Sequence, residues 1–217
     1  MNTARALGLL RRLGPPAFTT ADAAAACGQR IGAASKTLQR LRAAGLVHFV
    51  RKGLWTLHDD LEPLVLVEYL TAPHPSYASL QTALYLHGMV DQIPSVFYVV
   101  SLTRSHRIGT SLGTFSVHRI APAFFGGFEV SPHSGAKIAT PEKALLDVFY
   151  LSAGRSRLFA SLPEIELPAG FRHDYARAWT ARIPSARLRT LVARRLQGLA
   201  EIWHGREVHR VIEESQK

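Results

Sequence analysis

SKTLQRLRAAGLVHFVRKGLWTL, from Ser35 to Leu57, decides how the first part of this chain folds. Its first half has helical spacing: Ile31 and Ala34 just upstream fall on one stripe with Leu38 and Leu41, at roughly 100° per residue, and these four are the expected core contacts of a helix. Ala44-Gly45 ends that helix. LVHFV and LWTL, rich in branched and aromatic residues, then read as two short strands. Gly53 between them permits the positive φ of a tight hairpin, and Arg51 and Lys52 make its tip cationic. Opposite the apolar stripe the helix carries Gly32, Ala33, Lys36, Gln39 and Arg40, with Ser35, Thr37 and Arg42 on the flanks. Gly32 and Ala33 are small enough to let the backbone approach a groove floor, while Lys36, Gln39 and Arg40 have reach and donors for phosphates or purine edges.

Upstream, Ala6, Leu9, Leu10 and Leu13 recur at helical spacing until Gly14-Pro15-Pro16 stops the pattern. Thr20 is placed to cap a second helix, alanine-rich over 21–26, with Gly28 as its exit. Three helices and a basic hairpin are the parts of a winged helix-turn-helix, whose third helix enters the major groove while the hairpin reaches a backbone or minor groove. The expected DNA-facing set is Gly32, Ala33, Ser35, Lys36, Thr37, Gln39, Arg40, Arg51 and Lys52. The same elements also suit a small module for protein contacts, and their sequence leaves that alternative open.

The whole chain of 217 residues carries a formal net charge of +10 and a pI near 10.3, which favours an anionic partner: nucleic acid, an acidic protein or a membrane surface. The first sixty residues hold nine Lys or Arg against three Asp, more than half of that excess. Hydrophobic residues at 47% suffice for packed cores. Cys27 is the sole cysteine, so neither an intrachain disulfide nor a thiolate zinc site is expected. Arg5, Arg11 and Arg12 punctuate the opening apolar run, no cleavage site follows it, and no apolar stretch approaches the roughly 20 residues of a membrane span. A cytoplasmic location with no membrane partner is the expectation.

Asp59-Asp60-Leu61-Glu62-Pro63 reverses the charge and introduces a proline, dividing the chain into an expected DNA-binding domain over 1–60 and a second domain over 61–217. The second is expected to hold its own core and to fold when severed near Leu61. Leu64 to Leu70 suits a short helix or strand, and Ser79 is placed to cap a helix with Leu80, Ala83, Leu84 and His87 on one side. Val96 to Leu102 reads as a buried strand, and Thr114 to Ile120 alternates like a strand with one wet face. Thr140-Pro141-Glu142 starts a helix whose stripe is Ala144, Leu145, Val148 and Leu151. From Tyr175 on, helices turn Leu188, Leu191, Val192, Leu196 and Leu199 inward and Arg187, Arg189, Arg194 and Arg195 outward, either as a solvated face or as a surface for an acidic protein or DNA. The expected class is α+β: an N-terminal winged helix-turn-helix, then a mixed α/β domain with a helical tail.

Chemistry-bearing patterns are sparse. The ten histidines are scattered, Gly109 and Gly126-Gly127 occur without a phosphate-loop lysine and read as turns, and Asp91, Glu129 and Lys137 do not match nuclease spacing. Lys143 and Asp147 form an i,i+4 pair worth about 0.2–0.5 kcal/mol on a helix surface. No catalytic residue, metal or cofactor is expected.

RKGLWTL, YASLQTALYLHGM, QIPSVFYVVS and GAKIATPEKALLDVFYL, in this order and spacing, resemble the AbiEi family of abortive-infection antitoxins, the regulatory half of type IV toxin-antitoxin operons. The likeness spans most of the chain. It implies a phage-defence protein whose winged-helix head represses its own operon by binding repeats in double-stranded promoter DNA. It implies as second partner a cognate nucleotidyltransferase-type toxin, counteracted directly or indirectly by the C-terminal domain. By the same resemblance Lys36, Gln39, Arg40, Arg51 and Lys52 belong to the DNA-facing head, and Tyr77, Ser79, His87, Pro141, Glu142, Lys143 and Asp147 lie in recurring body motifs. The short Arg-rich tail departs from longer relatives, so no toxin-facing surface is carried over there. The alternative is a one-component, ligand-sensing repressor without a toxin partner.

Overall fold

The computed structural model describes residues 2–153 and 164–215, with side chains described to residue 201. The head contains α1 (Thr3–Arg11), β1 (Ala17–Thr19), α2 (Thr20–Cys27), α3 (Ile31–Ala43), β2 (His48–Arg51) and β3 (Leu54–Thr56), with the strands in the antiparallel order β1-β3-β2. Thr19, not Thr20, caps α2: its hydroxyl accepts from the Asp22 N–H at 3.1 Å, and the Asp22 carboxylate accepts from the Thr19 N–H at 2.7 Å. Gly28 leaves the helix at φ +60°, as its position suggested. Ala6, Leu10, Phe18, Ala23, Leu38, Leu41, Val47 and Trp55 form the head's core.

The stripe of α3 differs from the expected one at two positions. Ile31 is 61% exposed, because it opens the helix one turn before Ala34, where nothing covers it. Thr37 is buried instead: 34, 37, 38 and 41 keep i, i+3, i+4, i+7 spacing, which centres the inward stripe on Leu38.

The body begins with a 3-10 turn at Pro63–Leu66 and α4 (Val67–Thr71), so Leu64 to Leu70 is helical. Then come β4 (Ser76–Ala78), α5 (Leu80–Leu86), β5 (Phe97–Ser101), β6 (His106–Thr110), β7 (Gly113–Arg119), β8 (Phe128–Val130) and β9 (Lys137–Ala139). The chain continues with α6 (Pro141–Ala153), α7 (His173–Ala181) and α8 (Ala186–Ser215). The sheet order is β6-β7-β5-β4-β9-β8, with β5 parallel to β7, β4 parallel to β9, and the other pairs antiparallel. The architecture is therefore α+β, as expected.

Period-two alternation sorts this sheet's side chains onto two faces. Tyr77, Val100 and Ala139 face a cluster made with Leu80, Leu84, Leu145, Val148, Trp179, Val192 and Leu196 from the body helices. Ala78, Val99, Ile108, Phe115 and Val117 face the other way, onto Leu64, Leu66, Val67 and Leu70. That second cluster also contains Ala17, Val50 and Leu54 of the head sheet. The charge reversal at Asp59-Asp60 is thus no boundary in packing. Burying a Val or Leu side chain stabilises by about 1.5–3 kcal/mol, so Val50 and Leu54 tie head to body appreciably. Among the described residues no helix is long and apolar enough to cross a membrane.

Candidate functional sites on the head and in the body

On α3 the structure leaves Gly32, Ala33, Lys36, Gln39 and Arg40 exposed on one side, opposite buried Ala34, Leu38 and Leu41, with Ser35 half-buried between. Thr37 is buried rather than exposed: its hydroxyl lies 3.1 Å from the Ala33 carbonyl and 3.2 Å from the Gln29 side-chain oxygen, sharing one hydrogen between them, and accepts from the Arg40 guanidinium at 3.4 Å. Arg42 lies over the Phe49 ring at 5.0 Å, a cation–π contact that holds it on the flank.

The hairpin tip is held as well. Gly53 turns at φ +83°, and its carbonyl accepts from the N–H of Thr20, the first residue of α2, at 3.0 Å. The Thr20 hydroxyl, freed from capping, accepts from the Trp55 indole N–H at 3.0 Å. Arg51 is half-buried and Lys52 exposed on this tip, which is strapped to the start of the helix packed on α3.

The body's motif residues converge, though not at the surface. Lys143 and Asp147 on α6 form an ion pair with both side chains fully buried, contrary to the expected exposed pair. Ser79 stands at the N-cap position of α5, but its hydroxyl caps no helix N–H and donates instead to Asp147 at 2.7 Å. Tyr77 donates to the same carboxylate at 3.1 Å and accepts from the Lys143 ammonium at 2.8 Å. Phe124 lies under Lys143 Nζ at 4.0 Å from the ring centroid, with Trp179 at 5.5 Å. Burial pushes the Lys143 pKa down against the pull of Asp147, pushes Asp147 up against Lys143, and lifts the Tyr77 phenol well above its usual value.

One signal for this burial was available in the sequence. Ala144-Leu145-Leu146 and Val148-Phe149 leave α6 apolar all round, the mark of a buried helix, so charges embedded in it need buried partners.

Gly126 and Gly127 are more than turns. Side chains there would meet Trp179 and the aliphatic stem of Lys143 at 2.9 Å, so the backbone packs directly on these two side chains. Leu80 has φ +56°, an uncommon conformation for a non-glycine residue, at the corner where β4 passes through Ser79 into α5. At the start of α6, with Pro141 in its first turn, Glu142 is buried. Burial raises its pKa, but hydrogen bonds led by the Arg172 N–H at 2.9 Å outweigh this and hold it below the usual value. His87 donates from Nε2 to the Ala139 carbonyl at 2.7 Å, tying α5 to β9.

This cluster can brace β4, α5 and α6 together, with the Lys143 and Asp147 side chains fully buried in it. Elsewhere, Lys137 is paired with Glu68 at 2.7 Å, Glu129 stands opposite Ile138 on β8, and Asp91 is exposed beyond α5. Among the described residues no three His, Cys, Asp or Glu side chains converge to hold a metal. Arg187, Arg189, Arg194 and Arg195 are exposed on α8. No family model matches this sequence, and no curated protein matches it.

Proposed function

We propose that this chain is a DNA-binding autorepressor and antitoxin, reading operator repeats through α3 and the β2–β3 hairpin as a winged helix-turn-helix does. The observation that carries the DNA-binding reading is the segregation on α3: Lys36, Gln39 and Arg40 outward beside the small Gly32 and Ala33, against a buried Ala34, Leu38, Leu41 stripe. The strand order β1-β3-β2 and the cationic tip strapped beside α2 support it. The antitoxin half, directed at a nucleotidyltransferase-type toxin, rests on the resemblance of the body motifs, whose Tyr77, Ser79, Lys143 and Asp147 act as its internal brace. No catalysis is assigned to the chain.

A gel-shift titration with promoter and scrambled DNA tests the reading. Arg40→Ala costs about 1–3 kcal/mol on the promoter if it meets a base edge, whereas Lys52→Ala weakens all sequences alike and lowers the salt slope by about 1. Promoter affinity unchanged in both variants sinks the docking mode. Co-expression with the neighbouring gene, scored by growth, tests the antitoxin half.

A second reading, the ligand-sensing repressor, draws on a cleft of about 400 Å³ where hairpin and body meet, lined by Arg42, His48, Phe49, His58, Asp59 and Ser111 among others. Metabolite-dependent release of the promoter without any effect on a partner's toxicity would favour it.

A further inference from the structure

The wing strand carries an irregularity that the body fills. β2 pairs with β3 as Phe49 with Trp55 and then Arg51 with Leu54, so Val50 is an extra residue: a β-bulge immediately before the cationic tip. In a regular strand successive carbonyls point to opposite edges, and a bulge breaks that alternation, bends the strand and re-aims the residues after it. Here the carbonyls of both Phe49 and Val50 are taken by one residue of the body. Ser111, in the turn between β6 and β7, donates its hydroxyl to Phe49 at 2.7 Å and its N–H to Val50 at 2.9 Å.

The donor is itself preorganised. The Thr110 hydroxyl donates to the Gly113 carbonyl at 2.8 Å and accepts from the Leu112 N–H at 3.1 Å, closing the turn from within. Gly113 sits at φ +127° where a side chain would meet the Phe97 ring at 2.9 Å, which holds the turn against the sheet. Leu112 packs against the cluster that Val50 shares with the body. The side chain of Val50 and its carbonyl are thus both anchored outside the head.

We propose that Ser111 is a positioning residue for DNA recognition: the β6–β7 turn clamps the bulged wing strand and so sets where Arg51 and Lys52 point. The body is then part of the DNA-reading unit, and whatever displaces the β6–β7 hairpin is read out as weaker operator binding. This inference rests on the repressor reading for its DNA consequence, while the clamp itself is independent of it.

The test uses the full chain. In Ser111→Ala, promoter affinity falls roughly five- to tenfold and the salt slope drops by about 1, as when a phosphate contact is lost; Ser111→Thr restores both. In an Arg51→Ala/Lys52→Ala background Ser111→Ala has no further effect, because its action passes through the tip. Hydrogen exchange on free protein reads the clamp without DNA: amides over 49–53 exchange faster in Ser111→Ala. Unchanged exchange there overturns the clamp, and an equal loss of affinity in both backgrounds overturns its action through the wing. If wild type fails to prefer promoter over scrambled DNA, the repressor reading falls and with it the positioning role, while the exchange result still decides whether the clamp exists.

Discussion

Lys143 meets Asp147 where water has no access, and its value to the fold depends on its partners. Removing one member of a buried ion pair leaves the other uncompensated, at a cost of about 3–5 kcal/mol, whereas replacing both by apolar groups is often near neutral. Lys143→Met is therefore expected to lower the denaturant midpoint sharply, and adding Asp147→Leu to recover part of the loss; a double variant weaker than the single one would deny the pair this role. His118 supplies a pH signature. Burial first, then the charge of Arg107, lowers its pKa from 6.5 to about 4, while Ser116 lies 2.9 Å from its Nε2. Between those values the unfolded chain binds a proton that the folded one refuses. The contribution of His118 to stability, present at neutral pH, is consequently lost as pH falls from 6.5 towards 4, by an amount on the order of 3 kcal/mol. Urea titrations across this range should show the slope in wild type and a flatter line in His118→Gln.

Elements differ in how far their surroundings dictate them, and two glycines of the body separate backbone strain from crowding. Gly127 and Gly135 have nearly the same φ, +71° and +73°, but a side chain at Gly127 would strike Lys143 at 2.9 Å whereas Gly135 faces open space. Gly135→Ala should cost only the left-handed backbone term, about 1–2 kcal/mol. Gly127→Ala should add an overpacking term of about 1–3 kcal/mol, visible as a lower Tm. Equal losses would mean that the Gly126-Gly127 backbone does not press on Lys143. The same contrast explains what was legible in the sequence. The start at Thr140-Pro141-Glu142 and the exit at Gly28 were, because their signals act within a few residues of themselves. Phe97–Ser101 and Gly113–Arg119 were legible as strands from their branched or alternating residues, but the wet face expected of the second is absent: Ser116 and His118 are buried. β1, β8 and β9, three residues each, are too short for a period, and β6 is mostly exposed. On the head, the exposure of Lys36, Gln39 and Arg40 was legible from the wheel, while Thr37 was placed on the flank and counted with the DNA-facing set because its hydroxyl's inward partners, Ala33 and Gln29, are not a matter of periodicity. Nor does i,i+4 spacing say whether Lys143 and Asp147 meet in water or beneath Phe124.

For the molecule as a whole, the cluster joining Ala17, Val50 and Leu54 to the body sheet makes the two halves interdependent. Heat is expected to unfold the full chain in one transition, seen together by circular dichroism and tryptophan fluorescence. A fragment beginning near Leu61 would lack the Ala17, Val50 and Leu54 side chains of the shared cluster, and is expected to bind a hydrophobic dye and melt lower than the full chain. A fragment that matches the full chain in Tm and binds no dye would show that the shared cluster adds nothing. The sheet order has a consequence in time as well as in space. β4 lies in the interior of the sheet, yet one of its two neighbours, β9, is made long after it, with Ala78 waiting for Ile138. Contacts of such sequence separation form late and slow folding, and a strand edge without its neighbour is a template for wrong pairings. On the ribosome the head helices can close among themselves as soon as they emerge, but the body must carry a bare backbone edge until residue 139 has cleared the exit tunnel. Synthesis that stalls inside this interval releases a chain whose sheet is open at β4 and whose shared cluster is incomplete, a form exposed to aggregation.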